Sequence, residues 1–120
     1  MPYIRLELNQ YLSDSERFSL AQKAAELVGS LPGKLARRTM VSIQPQSDLY
    51  LDGQDRALAF VEVRMFNQAE QKHKTELVER LFDLLEKDFS IAREDAFMNV
   101  IELPSWGKNG SLSYSEHWVK

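Results

Sequence analysis

Apolar and polar positions alternate from the start of the chain. Over residues 2–8, Ile4, Leu6 and Leu8 face one way and Tyr3, Arg5 and Glu7 the other, the two-residue period of a strand. The period then lengthens. Leu20, Ala24, Leu27 and Leu31, with Phe18, Ala21, Ala25 and Val28, form a stripe at helical spacing. Ser13-Asp14-Ser15-Glu16 has the spacing of a capping box, so the helix begins at Ser13. Gly29, Pro32 and Gly33 stop it. A second strand is expected over 39–44, with Val41 and Ile43 on one face. Leu49-Tyr50-Leu51 reads as a short extended piece before the turn signal Asp52-Gly53. Residues 57–66 form the strongest strand pattern, Val61, Val63 and Met65 alternating with Phe60, Glu62, Arg64 and Phe66. A helix follows over 68–89, burying Leu77, Val78, Leu81, Phe82, Leu84 and Leu85, and a last core strand over 96–103. The tail, 104–120, is rich in Gly, Ser and Trp.

The order is strand–helix–strand twice, in halves of about 2–56 and 57–110, with starts at residues 2 and 57. Residue identity between the halves is poor, so the repeat lies in the order of elements. Such units imply parallel pairing with right-handed crossovers. The expected fold is α+β: a single domain spanning 1–120, a four-stranded mixed sheet with both helices on one face. The other face is then bare. It carries Arg5, Glu7, Glu62 and Arg64, which can pair across neighbouring strands, beside Tyr3, Met40, Phe60 and Phe66. Charge mixed with aromatics suits contact with another subunit or a wet central channel better than a plainly solvated face.

Composition narrows the function classes. With 43% hydrophobic and 28% charged residues the 120-residue chain is globular, not disordered. A net charge of −3 and the lack of a basic block argue against nucleic acid as partner. No apolar run reaches the roughly 18 residues of a membrane span, and the first residues do not read as a signal peptide. The absence of cysteine excludes disulfides and thiolate chemistry and fits a cytoplasmic setting. His73 and His117 are too far apart for a helix-face metal pair and are expected at the surface; no metal site is expected. The common phosphate-loop, dinucleotide, zinc-protease and serine-hydrolase strings do not occur.

One residue carries candidate chemistry. Pro2 directly follows Met1, and a small second residue lets an aminopeptidase remove the methionine. Pro2 then presents a secondary amine. A primary α-amino group titrates near 8, and an apolar pocket lowers such a value by disfavouring the charged form. A base poised near neutrality suits proton abstraction beside a carbonyl. Tyr3, Ile4, Phe66 and Phe97 are candidates for the apolar wall. A strand-start proline whose missing N–H costs nothing is the plain structural alternative.

The opening Met1-Pro2-Tyr3-Ile4 and the twofold strand–helix–strand order resemble the tautomerase superfamily, small β-α-β proteins that use an N-terminal proline. Gly33-Lys34 followed by Val41-Ser42-Ile43-Gln44-Pro45 is similar to the lysine-bearing loop and second strand of macrophage migration inhibitory factor, and 91–99 to its run into the last strand. Asp52-Gly53-Gln54 leading to Ala59-Phe60-Val61 resembles 5-(carboxymethyl)-2-hydroxymuconate isomerase, while Glu102, Pro104, Trp106-Gly107 and Gly110 resemble the tail of many bacterial members. The resemblance implies a homotrimer of three sheets around a channel, with a Pro2 site at each subunit boundary. It implies catalysis by Pro2 on a small carboxylate, without metal or organic cofactor.

Carried over residue by residue, it places Lys34 as the substrate-binding cation, with Arg37 or Arg38 as an alternative clamp; along an extended chain only one of the two arginines would point inward. It places Phe66 in the pocket wall and Asn99 as a hydrogen-bonding amide. Trp106 becomes a cover over the pocket or the neighbouring subunit. Phe97 stands where the inhibitory factor has a tyrosine, so the wall keeps its apolar character and loses a phenol donor. The activity implied is keto–enol or double-bond isomerisation of a 2-oxo or 2-hydroxy-dienoic acid. The alternatives on the same scaffold are a hydratase-like dehalogenase or decarboxylase, with Glu102 the only nearby acid, and a non-catalytic trimeric binding protein.

Overall fold

A computed structural model describes residues 2–54 and 56–120. The expected architecture is present. Strand β1 (Tyr3–Leu8) leads to helix α1 (Asp14–Gly29), a 3-10 turn (Ala36–Arg38) and β2 (Met40–Gln44). Strand β3 (Ala59–Phe66) leads to α2 (Gln71–Phe89), a second 3-10 turn (Arg93–Asp95) and β4 (Ala96–Leu103). The sheet order is β2-β1-β3-β4. β1 pairs parallel with β2, β3 pairs parallel with β4, and β1 and β3 meet antiparallel at the centre. The two halves therefore sit head to tail, and the start of β1 lies at the same end of the sheet as the end of β3.

The sheet alternation is as the sequence dictates. Ile4, Leu6, Leu8, Val61, Val63 and Met65 are fully buried under the helices, each such side chain contributing about 1.5–3 kcal/mol. Leu20, Ala24 and Val28 of α1 and Leu77, Leu81 and Leu85 of α2 complete this core. Ser13 caps α1 through its Oγ, and Glu16 reaches back to the Ser13 N–H. Phe18 departs from the expected stripe. It is 66% exposed, because it lies to the side of the line that Leu20, Ala24 and Val28 present to the sheet.

Leu49-Tyr50-Leu51 forms no strand; only a Leu51–Gln54 bridge closes the Asp52-Gly53 turn, where both residues have positive φ. His117 is exposed and His73 half-buried. The tail holds an element the sequence reading left out, a hairpin of β5 (Ser105–Lys108) and β6 (Ser111–Tyr114). Its two-residue turn is Asn109-Gly110, with φ of 50° and 81°, the backbone that Asn-Gly turns favour. Beyond it, Gln68 binds both backbone groups of Val119, at 2.9 and 3.0 Å, and fastens the last residues to the β3–α2 loop.

The bare sheet face is real. Met40 is 70% exposed and Phe97 54%. Its ion pair runs along β3, from Arg64 Nη2 to Glu62 Oε2 at 3.3 Å, and not across strands from Arg5. Among the described residues no helix is long and apolar enough to cross a membrane.

Candidate active site

Pro2 sits immediately before β1, buried, with its carbonyl accepting from the Met40 N–H at 3.1 Å. That bond fixes the residue between the starts of β1 and β2. Met1, whose removal would free the Pro2 nitrogen, lies outside the described residues. A pocket of about 690 Å³ opens at this end of the sheet, lined by Pro2, Tyr3 and Met40, by Leu103 at the end of β4, and by Trp106 and Gly107 of the hairpin. The remaining polar lining is mainly cationic, Arg37, Arg38, Arg64 and Lys108, with no Asp or Glu among the described residues.

The four cations arrive by three local rules. Arg37 and Arg38 both reach the pocket because they lie in a 3-10 turn, where consecutive side chains fan out. The expectation that only one points inward assumed an extended chain. Arg64 follows from sheet register: it is the β3 partner of Tyr3, one residue from Pro2. Lys108 is delivered by the hairpin, its Nζ 5.4 Å from the centre of the Phe66 ring, within cation–π range. Arg64 and Lys108 had no place in the sequence-based site. Arg64 was legible as a bare-face residue, and Asn109-Gly110 was the signal for the turn that carries Lys108.

The other candidates separate. Lys34 does not line the pocket; its Nζ donates to the Phe66 carbonyl at 2.7 Å. Burial, reinforced by nearby Lys108 and opposed by Glu102, lowers its pKa below the usual lysine value. Phe66 is nearly buried beneath Lys108 and forms part of a neighbouring cavity with Tyr114 and His117. Trp106 is in the pocket. Phe97 and Asn99 are not. On β4 the residue level with Arg64, and so with Tyr3, is Ile101. Asn99 lies roughly 7 Å and Phe97 roughly 13 Å further down the strand, at 3.3 Å per residue. Within one chain the sheet keeps them away from Pro2. Both share the bare face, and the Asn99 Oδ1 is buried without a hydrogen-bond partner.

The direction of Glu102 is fixed by its β3 partner, the buried Met65, which puts it on the helix side. There it accepts from the Ala69 N–H at 2.6 Å and from Lys74 Nζ at 2.8 Å. It is committed to the start of α2 and does not face the pocket. Among the described residues no cluster of three or more His, Cys, Asp or Glu is placed to hold a metal ion.

A family model described as macrophage migration inhibitory factor (MIF) matches residues 1–113. No curated protein matches significantly. Among solved structures, MIF2 of Leishmania major superposes with a TM-score of 0.85 at 18% identity, covering 94% of this chain and 97% of that one. A macrophage migration inhibitory factor homologue from Prochlorococcus marinus gives 0.73 at 21% identity, over 92% of this chain and 97% of that one. A structure described as Pt0534 inactivated by 2-oxo-3-pentynoate gives 0.79 at 14% identity, over 90% of this chain and 92% of that one. At these identities the structures establish a shared fold. The family match spans nearly the whole sequence and goes further: the chain belongs to the macrophage migration inhibitory factor family.

Proposed function

We propose that the protein is a cofactor-independent tautomerase that moves a proton within a small 2-oxo or 2-hydroxy-dienoic acid, with the Pro2 amine as general base. The observation that carries this reading is a buried Pro2 in a pocket with four cations and, among the described residues, no acid. Burial and surrounding positive charge both disfavour a charged amine, which favours the neutral form of a freed Pro2 nitrogen, the form that accepts a proton. The cations attract a carboxylate, and one of them stabilises the enolate oxygen as charge develops there.

The steps balance without an outside reagent. The Pro2 nitrogen takes a proton from the carbon beside the carbonyl, and the C–H electron pair moves onto the oxygen as enolate. The protonated nitrogen then returns the proton, to the oxygen for an enol or to a remote carbon for a shifted double bond. Arg38 with Arg37 holds the carboxylate; Trp106 closes the wall. That Pt0534 is inactivated by 2-oxo-3-pentynoate, itself a 2-oxo acid, supports the substrate class.

The active assembly is a homotrimer. Phe97 and Asn99 reach a Pro2 pocket only from a neighbouring copy, and the exposed Phe97 ring and the unpaired Asn99 oxygen are the features such a boundary would use. A hydration-type reaction would need an acid to activate water, and Glu102 is held by Lys74 and the Ala69 N–H.

The test begins with intact mass, to establish that Met1 is removed. Turnover of phenylpyruvate and 2-hydroxymuconate is then compared between free protein and protein whose terminal amine is chemically blocked. Blocking should cost 10²- to 10⁴-fold, the usual contribution of a positioned general base, about 3–5 kcal/mol. Undiminished turnover of the blocked protein refutes the reading.

A further inference from the structure

We propose that Gln68 is a positioning residue for the Pro2 pocket: by latching the chain at Val119 it holds the β5–β6 hairpin in place, and with it Trp106 in the pocket wall. A wall held in this way matters to any occupant of the pocket, whether or not Pro2 is a base.

The hairpin needs such a hold. It forms a sheet of its own, and among the described residues no ladder hydrogen bond joins it to the four-stranded sheet. Little burial secures it: Leu112 is 55% exposed, Tyr114 71% and Val119 72%. A two-stranded hairpin standing alone is marginal in water. Its root is closed by the Ser115 N–H, which donates to the Pro104 carbonyl at 2.7 Å. Beside its turn, Lys108 lies over the Phe66 ring. The chain leaving the hairpin is tied back to the body by Gln68.

A carboxamide presents the same donor and acceptor as a peptide group. The Gln68 Nε2 donates to the Val119 carbonyl at 2.9 Å, and the Val119 N–H donates to Gln68 Oε1 at 3.0 Å. The side chain thus pairs with Val119 as one strand residue pairs with its opposite. Gln68 stands just beyond Phe66, where β3 ends, so the catch is anchored on the strand that also sets Arg64 beside Tyr3. A cavity of about 500 Å³ is lined by Phe66, Gln68 and residues 114–117, so this strap bridges open space instead of packing down. Two neutral, exposed hydrogen bonds are strong enough to bias the strap shut and weak enough to release it. Val119 lies beyond residues 1–113, the span of the family match, so the catch is not among the features that match describes.

Hydrogen exchange on the full chain, read by mass spectrometry, tests this by comparing the hairpin with α2. Gln68→Ala should speed exchange of the amides of 105–114 about tenfold or more, as expected for two lost hydrogen bonds, while the amides of α2 keep their rate. Taking the hairpin relative to α2 removes any general loss of stability. In a Trp118→Phe background Trp106 is the sole tryptophan, and acrylamide should quench it more strongly once Gln68 is replaced. Val119→Pro removes the N–H that Gln68 accepts and should act in the same direction; the two substitutions together should do no more than Gln68→Ala alone. Hairpin exchange and Trp106 quenching that ignore both substitutions, the result expected if a neighbouring copy holds the hairpin, overturn the proposal. So does a double variant in which the two effects simply add. Neither readout uses turnover, so a failure of the tautomerase reading leaves both standing.

Discussion

The two ends of the sheet are built on one plan and finished differently. At one end, the start of β1 meets a 3-10 turn that leads into β2; at the other, the start of β3 meets a 3-10 turn that leads into β4. The first turn reads Ala-Arg-Arg and the second Arg-Glu-Asp. In the second, Asp95 is buried and receives Arg56 Nε at 2.7 Å, while Arg93 is taken by Asp83 and Glu86. Asn9 closes the same end by binding both Arg56 O and the Leu58 N–H. In the first, no carboxylate among the described residues lies within 4 Å of Arg37 or Arg38, and Pro2 stands where the other end has Ala59. Equal backbones thus give a neutralised, plugged end and an electropositive, open one. The frame decides where a residue goes; a few side chains decide whether the place is a site.

That contrast can be broken. The largest effect is expected at Gly29, where any added side chain would run into the backbone of Ala36. Gly29→Val should push away the turn that bears Arg37 and Arg38. It should cost about 3 kcal/mol, the upper range for overpacking, or a drop of roughly 10 °C in Tm. Calorimetry and carboxylate affinity should fall together; an unchanged Tm would mean the turn is not seated on the helix end.

Asp95→Asn should come next and should act on stability alone. Its carboxylate is 10% exposed and its partner Arg56 38%, so the pair is worth more than a surface bridge and less than a fully buried one, about 1–2 kcal/mol. Denaturant unfolding should report this loss while turnover at the Pro2 end is kept. Equal losses at both ends would show that the ends are coupled.

The smallest effect concerns pH. Lys34 is held below the ordinary lysine pKa, first by burial and then by Lys108. Between its lowered value and the usual 10.5, the unfolded chain binds more protons than the folded one. Stability should therefore rise with pH across that window and be lost again as pH falls through the folded pKa. Lys34→Met should flatten the rise. Lys108→Met should shift the Lys34 titration upward, read by the NMR shift of its terminal carbon. A titration that ignores Lys108 would contradict the crowding of charge at this end.

How much could be read in advance follows from the physics of each signal. The four core strands and both helices are legible because burial imposes a period on local sequence, as in Val61, Val63 and Met65 or Leu77, Leu81 and Leu85. Pro2 was legible as a candidate because the chemistry proposed for it depends on its place in the chain, and the structure sets it in the wall of a pocket. Arg64 was legible only as a bare-face residue, because its nearness to Pro2 comes from the antiparallel register of Tyr3 with Arg64, far along the chain. The fate of Lys34 was not, because nothing local tells an amine facing solvent from one given to the Phe66 carbonyl. Phe97 and Asn99 show a third limit: they are near Pro2 in the resemblance and far from it within one chain. The hairpin has a local signal of its own, for Asn109-Gly110 is among the strongest short-range turn signals.

The β5–β6 hairpin has a consequence for how such a protein changes over evolution. It forms its own two-stranded sheet, outside the four-stranded one, yet it brings Trp106 and Lys108 to the pocket. Its tip can be rewritten, lengthened or recharged without repacking Ile4, Val61 or Leu81. Ligand preference can therefore drift quickly on this ribbon while the foundation beneath it stays still.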